Sequence, residues 1–270
     1  MGQRATIAAL MTTYNAERFI RGCLESIKWA DEIIIADMFS TDRTVEIARE
    51  YGAEVIQDKG ENTEVRINLA IDKAASDWIL RLTVTERITG ALKEEIIGKI
   101  NKKEEYVGYH IPRLNYFYGK FIEERPGPLY LFKNGAGKYP GICGHEKVAL
   151  KGEVGYLKNL KIHYSAITVK DLIDKANRYT SNDAKVVFAG HPRAFGCKLP
   201  VHRANLLNMT YRTVWGFFSM YIWGKGYKYG MHGLITAIIC AFVDFVEIAK
   251  LWELEYKQKH NVKDELIPED

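Results

Sequence analysis

Along roughly the first hundred residues, short apolar runs alternate with segments whose apolar positions recur every three or four residues. "ATIAALMTTYN" is an apolar run that ends in polar residues, and "DEIIIADMF" is a continuous apolar run of buried-strand type. Between them, "ERFIRGCLESIKWA" places Phe19, Ile20, Cys23, Leu24 and Ile27 on one helical face. "STDRTVEIAREYG" opens with capping residues and stops at Gly52. "AEVIQD" and "DWILRL" read as further strands. "NTEVRINLAIDKAAS", carrying Val65, Leu69 and Ala70, and "GALKEEIIGKINKK" read as helices. Strand and helix alternating at this spacing predict a parallel, doubly wound sheet.

After Glu105 the pattern changes. "VGYHIPRLNYFYGKF", "PLYLFKN" and "KVALKGEVGYLKNLKIHYSA" read as strands and turns rich in Tyr, Gly and Lys. From Thr168 the pattern is helical to about His260, and "NVKDELIPED" is expected to be disordered. The division this predicts is a first domain over 1–165, a helical region over 166–260 and a tail over 261–270. Two uncharged stretches lie in the helical region, Thr213–Gly224 and Gly230–Val243. Both fall short of the roughly 20 apolar residues a bilayer span needs, so neither is expected to cross alone. Leu234, Ile238, Ala241, Phe242, Phe245, Ile248, Ala249 and Trp252 form a stripe at helical spacing. It either packs on the first domain or lies on a membrane surface, and the aromatics clustered with Lys225 and Lys228 favour the surface.

Composition excludes a good deal. At 47% hydrophobic and 27% charged, the 270-residue chain is an ordinary folded protein, not a disordered one. A net charge of +4 is too small to indicate nucleic acid. The charge is uneven, however. Arg178 to Tyr229 holds eight Lys/Arg (among them Arg178, Lys185, Arg193, Lys198, Arg203 and Arg212) and one acid, Asp183. Such a segment is either a solvated face or suited to phosphates or an anionic membrane. The four cysteines, Cys23, Cys143, Cys197 and Cys240, form no C-x-x-C pair, against a zinc site or a disulfide framework. With an N-terminus too weakly apolar for a signal peptide, a cytoplasmic location is expected.

In an open parallel sheet, ligands sit beyond the carboxyl ends of the strands. Two strand ends are rich in candidate chemistry. "LMTTYN" offers Thr12, Thr13, Tyr14 and Asn15, with Tyr14 able to stack on a base. "IIIADMFSTDRT" offers Asp37, able to accept from a base N–H or ribose hydroxyls. No G-x-G-x-x-G follows the first strand, and "NGAGKY" lacks the spacing of a P-loop. Nothing reads as a Ser-His-Asp arrangement.

The stretch "MTTYNAERFIRGCLESIKWADEIIIADMFSTDRTVEIAREYGAEVI" resembles the start of family 2 glycosyltransferases, within them the lipopolysaccharide-core beta-glucosyltransferase-like group. The resemblance continues through "RINLAIDKAASDWILRL", "GYHIPRLNYFYGKF", "HEKV", "KIHY", "RYT" and "AKLWELEY", about residues 5 to 256. It implies an α/β, GT-A-type nucleotide-binding fold with a mostly parallel central sheet, followed by a C-terminal helical region. It implies inverting transfer of a hexose from a nucleotide sugar, of the UDP-linked kind, to a lipid-linked or lipopolysaccharide-type acceptor. The expected setting is the inner face of the membrane, in peripheral contact, with no nucleic acid partner. Thr12, Tyr14, Asn15 and Asp37 would hold the nucleoside, and Arg66 and Asn68 would line the donor pocket. An inverting enzyme needs a base for the acceptor hydroxyl. His145 and Glu146 in "PGICGHEKV", or Glu86, are the candidates.

The departures fall at the diphosphate end. The family carries Asp-x-Asp for a divalent cation, magnesium or manganese, where this chain has Thr83-Val84-Thr85, leaving Glu86. Its metal ligands are therefore missing here, and His163, a position that could be a third ligand in relatives, stands without them. Met38 and Phe39 occupy a turn that is small in relatives, and Tyr130 stands where many carry arginine. Two unit charges at 4 Å are worth about 4 kcal/mol at an effective dielectric of 20, and a divalent ion about twice that. Losing it unreplaced would cost on the order of five decades in rate. Either a cation replaces it, the donor differs, or the protein is an inactive relative that binds or scaffolds. Arg81 lies on the same side of its strand as Thr83, with Thr85 joining if the extended trace runs on. With Arg87 beside it, Arg81 either holds the diphosphate or pairs with a surface acid.

Overall fold

The computed structural model describes residues 4–60, 63–102, 106–140, 148–190 and 204–262. The chain divides into two compact units, Met1–Ser165 and Ala166–Asp270.

The first unit opens with the alternation its sequence predicts: β1 (Ile7–Thr13), α1 (Glu17–Ile27), β2 (Glu32–Asp37), α2 (Thr44–Glu50), β3 (Glu54–Gln57), α3 (Thr63–Lys73), β4 (Trp78–Thr83). A two-residue strand, β5 (Glu86–Arg87), precedes α4 (Gly90–Ile100). Thr89 caps α4, its side chain accepting from the Leu92 N–H. Then follow β6 (Gly108–His110), β7 (Arg113–Phe117), β8 (Lys120–Glu124), β9 (Leu129–Lys133), β10 (Gly137–Lys138), β11 (Ala149–Leu150), β12 (Val154–Tyr156) and β13 (Lys161–Ala166). The central sheet has the order β12-β6-β9-β4-β1-β2-β3. β4, β1, β2 and β3 run parallel, and β9 is antiparallel to both its neighbours. A second sheet has the order β5-β13-β7-β8.

Alternation along the parallel strands feeds two cores. Met11, Trp78, Leu80 and Leu82 pack with Ile20, Leu24, Leu92 and Ile96 on one face of the sheet. Ala8, Leu10, Ile79 and Phe132 pack with Ile67, Ala70 and Ile71 of α3 on the other. The expected face of α3 is corrected here. Val65 and Leu69 are exposed, and the buried line is Glu64, Arg66, Ile67, Ala70 and Ile71. Two charged side chains therefore stand under the helix where apolar ones were expected.

Register is pinned at the amino ends of the strands. The Asp77 carboxylate accepts from the Thr6 N–H at 2.8 Å and from the Thr6 hydroxyl at 3.0 Å. The same hydroxyl lies 3.0 Å from the Asp77 N–H, and the Trp78 N–H donates to the Thr6 carbonyl at 3.0 Å. Asp31 similarly accepts from the Ile7 N–H at 2.9 Å.

The second unit contains α5 (Val169–Phe188), α6 (Leu206–Phe218) and α7 (Met231–His260). Thr168 and Asp171 form a capping box at the start of α5. Between α6 and α7 lie a π turn, Ser219–Trp223, and a 3-10 turn, Gly226–Tyr229. Among the described residues no helix is long and apolar enough to cross a membrane. Ala241 and Ile248 of the expected stripe are buried, whereas Ile238, Phe242, Phe245 and Trp252 are exposed. The buried line runs instead through Gly233, Ala237, Ala241, Asp244, Ile248 and Leu251. Of the basic segment, Arg212 is taken inward, paired with Asp244 at 3.1 Å and Glu247 at 3.7 Å. Arg193, Lys198 and Arg203 lie outside the described residues.

Candidate functional site

The carboxyl ends of β1, β2 and β4 lie level. Thr13 is in register with Asp37 on one side, and Thr12 with Thr83 on the other. The loops after β1 and β2 are joined by side chains that satisfy turn amides, as Asn, Asp, Ser and Thr do in such places. The Asn15 N–H donates to the Ser40 hydroxyl at 2.9 Å, and Asn15 Oδ1 accepts from the Thr41 N–H at 2.8 Å. The Ala16 N–H donates to the Thr44 hydroxyl at 2.7 Å, and the Glu17 N–H to Asp42 at 3.0 Å. Asp37 sits beneath, fully buried. Its carboxylate accepts from the Thr13 hydroxyl at 2.8 Å, the Ser40 N–H at 2.8 Å and the Ser40 hydroxyl at 2.5 Å. As placed, Asp37 shapes this corner and presents no face to a nucleoside. What the corner presents is aromatic: Tyr14 is 52% exposed and Phe39 41%. Phe39 holds φ 57°, a left-handed conformation that costs an L-residue about 1–2 kcal/mol. The Lys59 ammonium lies 5.0 Å from its ring centre.

The β4 end is a charged interior. The hydroxyls of Thr83 and Thr85 bond to each other at 3.2 Å. Glu86, expected as a base, is corrected: it is 0% exposed, pairs with Lys161 at 2.8 Å and accepts from the Thr83 N–H at 3.0 Å. No acceptor hydroxyl reaches it there. Burial pulls the Lys161 pKa down to about 8 against the raising effect of Glu86. Burial would raise Glu86, but Lys161 and His163 outweigh it and hold the carboxyl below its ordinary range. The Lys161 ammonium also lies 3.9 Å from the centre of the Tyr130 ring. His163, 8% exposed, faces Asn115 Oδ1 at 2.7 Å, and Asn115 donates to Glu124 at 3.0 Å. Arg113 closes this chain with a fork of bonds to Glu124.

Arg81 does not pair with a surface acid. Its guanidinium stands 5.1 Å from the Tyr130 ring centre and 4.7 Å from that of Tyr139. Arg87 is committed elsewhere, donating to the carbonyls of Phe19, Val84 and Glu86 at 2.7–2.9 Å. It ties the β4–β5 turn to α1 and has no part in holding a diphosphate as placed. Asn68 is also redirected: its amide donates to the Tyr139 carbonyl at 2.8 Å and accepts from the Tyr139 N–H at 3.0 Å. It positions Tyr139 instead of facing a donor. Arg66 is 1% exposed, donates to the Thr63 hydroxyl at 3.3 Å, and leaves Nε and Nη1 without hydrogen-bond partners. His145 and Glu146 lie outside the described residues.

A divalent cation of the family's kind takes carboxylate oxygens. Thr83 and Thr85 offer neutral hydroxyls already bonded to each other, and Glu86 is held by Lys161. Among the described residues no group of three His, Cys, Asp or Glu could hold a metal. These residues do not fit the ion. Lys161 and Tyr139 were not singled out from the sequence. A lysine at a core-facing position of "KIHY", two before His163, carries the signal for Lys161, since a buried lysine needs a partner. Tyr139 carries no comparable signal.

The family model described as "Glycosyl transferase family 2" matches residues 8–147, more than half of the chain. A Rickettsia felis protein named "Uncharacterized glycosyltransferase" is 27% identical over 94% of this chain and 92% of its own. The "Lipopolysaccharide core biosynthesis glycosyltransferase LpsC" of Rhizobium meliloti is 23% identical over 96% of this chain and 97% of its own. Among solved structures, S. aureus TarS superposes with a TM-score of 0.50 at 12% identity, over 93% of this chain and 55% of that one. That last likeness concerns the fold alone. The loops beyond the parallel strands and the family match over them lead to one conclusion: the chain is a glycosyltransferase and belongs to glycosyl transferase family 2.

Proposed function

We propose that the chain transfers a hexose from a UDP-linked sugar to a lipid-linked or lipopolysaccharide-type acceptor, with inversion, at the cytoplasmic face of the inner membrane. The observation that carries this is the corner made by β1 and β2. Tyr14 and Phe39 are exposed above a fully buried Asp37, on loops locked by Asn15 and Ser40. A flat base fits aromatic faces there, and the donor's diphosphate then extends towards Thr83 at the next strand end. The name of the Rhizobium relative supports the acceptor class.

In the transfer, the acceptor oxygen bonds to the anomeric carbon and its proton passes to a base. The bond from that carbon to the diphosphate oxygen breaks, leaving its electrons on the nucleotide. With Glu86 committed to Lys161, His145 and Glu146 are the residues assigned to the base. The membrane setting rests on the second unit. Leu206 and Leu207 are about four-fifths exposed, and Trp223 and Met231 are also open, on either side of Lys225 and Lys228. Apolar side chains with nearby lysines suit the surface of an anionic bilayer.

Calorimetry with UDP, with and without manganese, tests the donor site, and transfer from radiolabelled UDP-sugars to membrane lipid extract tests the reaction. Absence of UDP binding in both conditions would refute the nucleoside assignment.

A further inference from the structure

We propose that the donor's diphosphate is held by Arg81, aided by Arg66, so that donor binding needs no divalent metal. This rests on the nucleotide-sugar reading above and goes beyond it. Three observations carry it.

The first is place. Arg81 is in register with Leu10 on β1, two residues before the Thr12–Thr83 pair at the strand ends. It shares a face of β4 with Thr83 and Ile79, and Ile79 packs on the α3 side of the sheet. Arg66 belongs to α3.

The second is what the guanidinium lacks. Its contacts are to the Tyr130 and Tyr139 rings and the Tyr139 hydroxyl, and among the described residues no carboxylate forms an ion pair with it. Glu64 acts on it only at longer range. Glu86, on β5 just beyond the end of β4, is paired with Lys161. A partly buried cation whose neighbours are neutral rings and a tyrosine hydroxyl keeps its charge without a paired anion, and an anion brought by a ligand completes it. Arg66 repeats the pattern, buried with two N–H groups unbonded.

The third is orientation. An aromatic ring takes the flat face of a guanidinium, whereas the N–H donors lie in its plane. Two tyrosine rings and the Tyr139 hydroxyl thus fix Arg81, and a guanidinium has five N–H donors, enough to serve that hydroxyl and still receive phosphate oxygens. Asn68 secures one of those rings by gripping the Tyr139 backbone.

The test is calorimetry on the full chain in EDTA, with inorganic pyrophosphate, UDP and uridine as separate probes. Pyrophosphate and UDP are expected to bind in EDTA, and added manganese is expected to leave UDP affinity unchanged. Arg81→Met should weaken pyrophosphate and UDP about 10- to 100-fold, the worth of a hydrogen bond to a charged group, with uridine unaffected. The same variant without ligand should melt close to wild type, because the charge it removes is balanced by no carboxylate; a purely structural arginine would lower the melting temperature markedly. Arg81→Lys keeps the charge without the planar fork and should fall between the two, which also serves if Arg81→Met does not fold. UDP binding that requires or tightens with manganese, or pyrophosphate binding equal in Arg81→Met and wild type, overturns the inference and leaves the nucleotide reading standing. Pyrophosphate binding without UDP binding supports the inference and corrects the base. If none of the probes binds under any condition, both readings fall.

Discussion

Changing Glu86 to glutamine would remove one charge from an ion pair whose side chains are both 0% exposed. The shape is kept, and the amide oxygen can still accept from the Thr83 N–H. What is lost is the counter-charge of Lys161. Breaking a buried pair from one side costs about 3–5 kcal/mol. The lysine's alternative is to shed its proton. From about 8 in the folded protein that costs about 1.4 kcal/mol at pH 7, at about 1.36 kcal/mol per pH unit. Glu86→Gln is therefore expected to destabilise the first unit at pH 7 by about 1–5 kcal/mol, with the lower end reached if the lysine sheds its proton.

The pH dependence follows from the sign of the shift. Lys161 is depressed to about 8 in the folded protein. Its burial penalty is therefore full below pH 8 and is relieved as pH rises from 8 towards 10.5. In the variant, with no Glu86 to hold the proton, relief starts lower. The gap between variant and wild type should narrow by about 1 kcal/mol from pH 7 to pH 8. Adding Lys161→Met removes the stranded charge and should recover most of the loss. Hydrogen exchange of the β4 and β13 amides reads the first unit by itself, without requiring the whole chain to unfold in one step. A cost under 1 kcal/mol for Glu86→Gln, or a double variant no more stable than the single one, would refute the buried pair.

Other outcomes are expected at separate sites. Phe39→Gly should be more stable than Phe39→Ala by about 1 kcal/mol, because alanine retains the left-handed penalty; equal melting temperatures would contradict the φ of 57°. Asp37→Ala should weaken UDP binding by about 1–3 kcal/mol by leaving Thr13 and Ser40 without their acceptor, and unchanged calorimetry would remove Asp37 from the donor corner. Asp244 is pushed up to about 6 by burial, against the pull of Arg212. Its stabilising contribution is present below pH 3.8 and is lost as pH rises through 6, so Asp244→Asn should flatten the stability of the second unit across that window, read by hydrogen exchange of α7. Lys225→Glu with Lys228→Glu should lower binding to anionic vesicles about tenfold or more, and a wild-type protein that never floats with them would reduce the exposed apolar face to an ordinary surface.

Much of the first unit could be read from its sequence because periodicity fixes faces. The alternation of "DWILRL" correctly separated Trp78, Leu80 and Leu82 from Ile79 and Arg81. The same logic failed on α3, where Val65 and Leu69 looked like core residues and Arg66 and Glu64 took the interior. A helical wheel ranks residues by hydrophobicity, and here two charges turned inward. The candidate site shows a similar limit. Asn15 and Asp37 were placed at the right strand ends, but whether Asp37 faces a ligand or its own loop depends on Ser40 and Thr13 being free or engaged. Lys161 and Tyr139, each far from Arg81 and Glu86 in sequence, reach them only through the pairing of β13 with β5 and the Asn68 grip. Contacts of that separation leave no local pattern. Between the strand read in "DWILRL" and the helix read in "GALKEEIIGKINKK", β5 went unread because a two-residue strand has no period to detect.

The bonds between Thr6 and Asp77 carry a consequence for tolerance to insertion and deletion. They lie at the amino end of the sheet, away from the loops that present Tyr14 and Phe39. Yet they fix which residue of β4 stands opposite which residue of β1. Because side chains alternate with a period of two, a slip of one residue there would exchange the faces of the entire strand. Leu80 and Leu82 would turn towards α3, and the Arg81 guanidinium would be driven into the core that holds Met11 and Leu24. A single codon gained or lost between Ser76 and Thr83 would thus be more damaging than several in the loops above, although it alters no residue that would touch a substrate. The specification of the site is written partly in the spacing of a threonine and an aspartate at the far edge of the sheet.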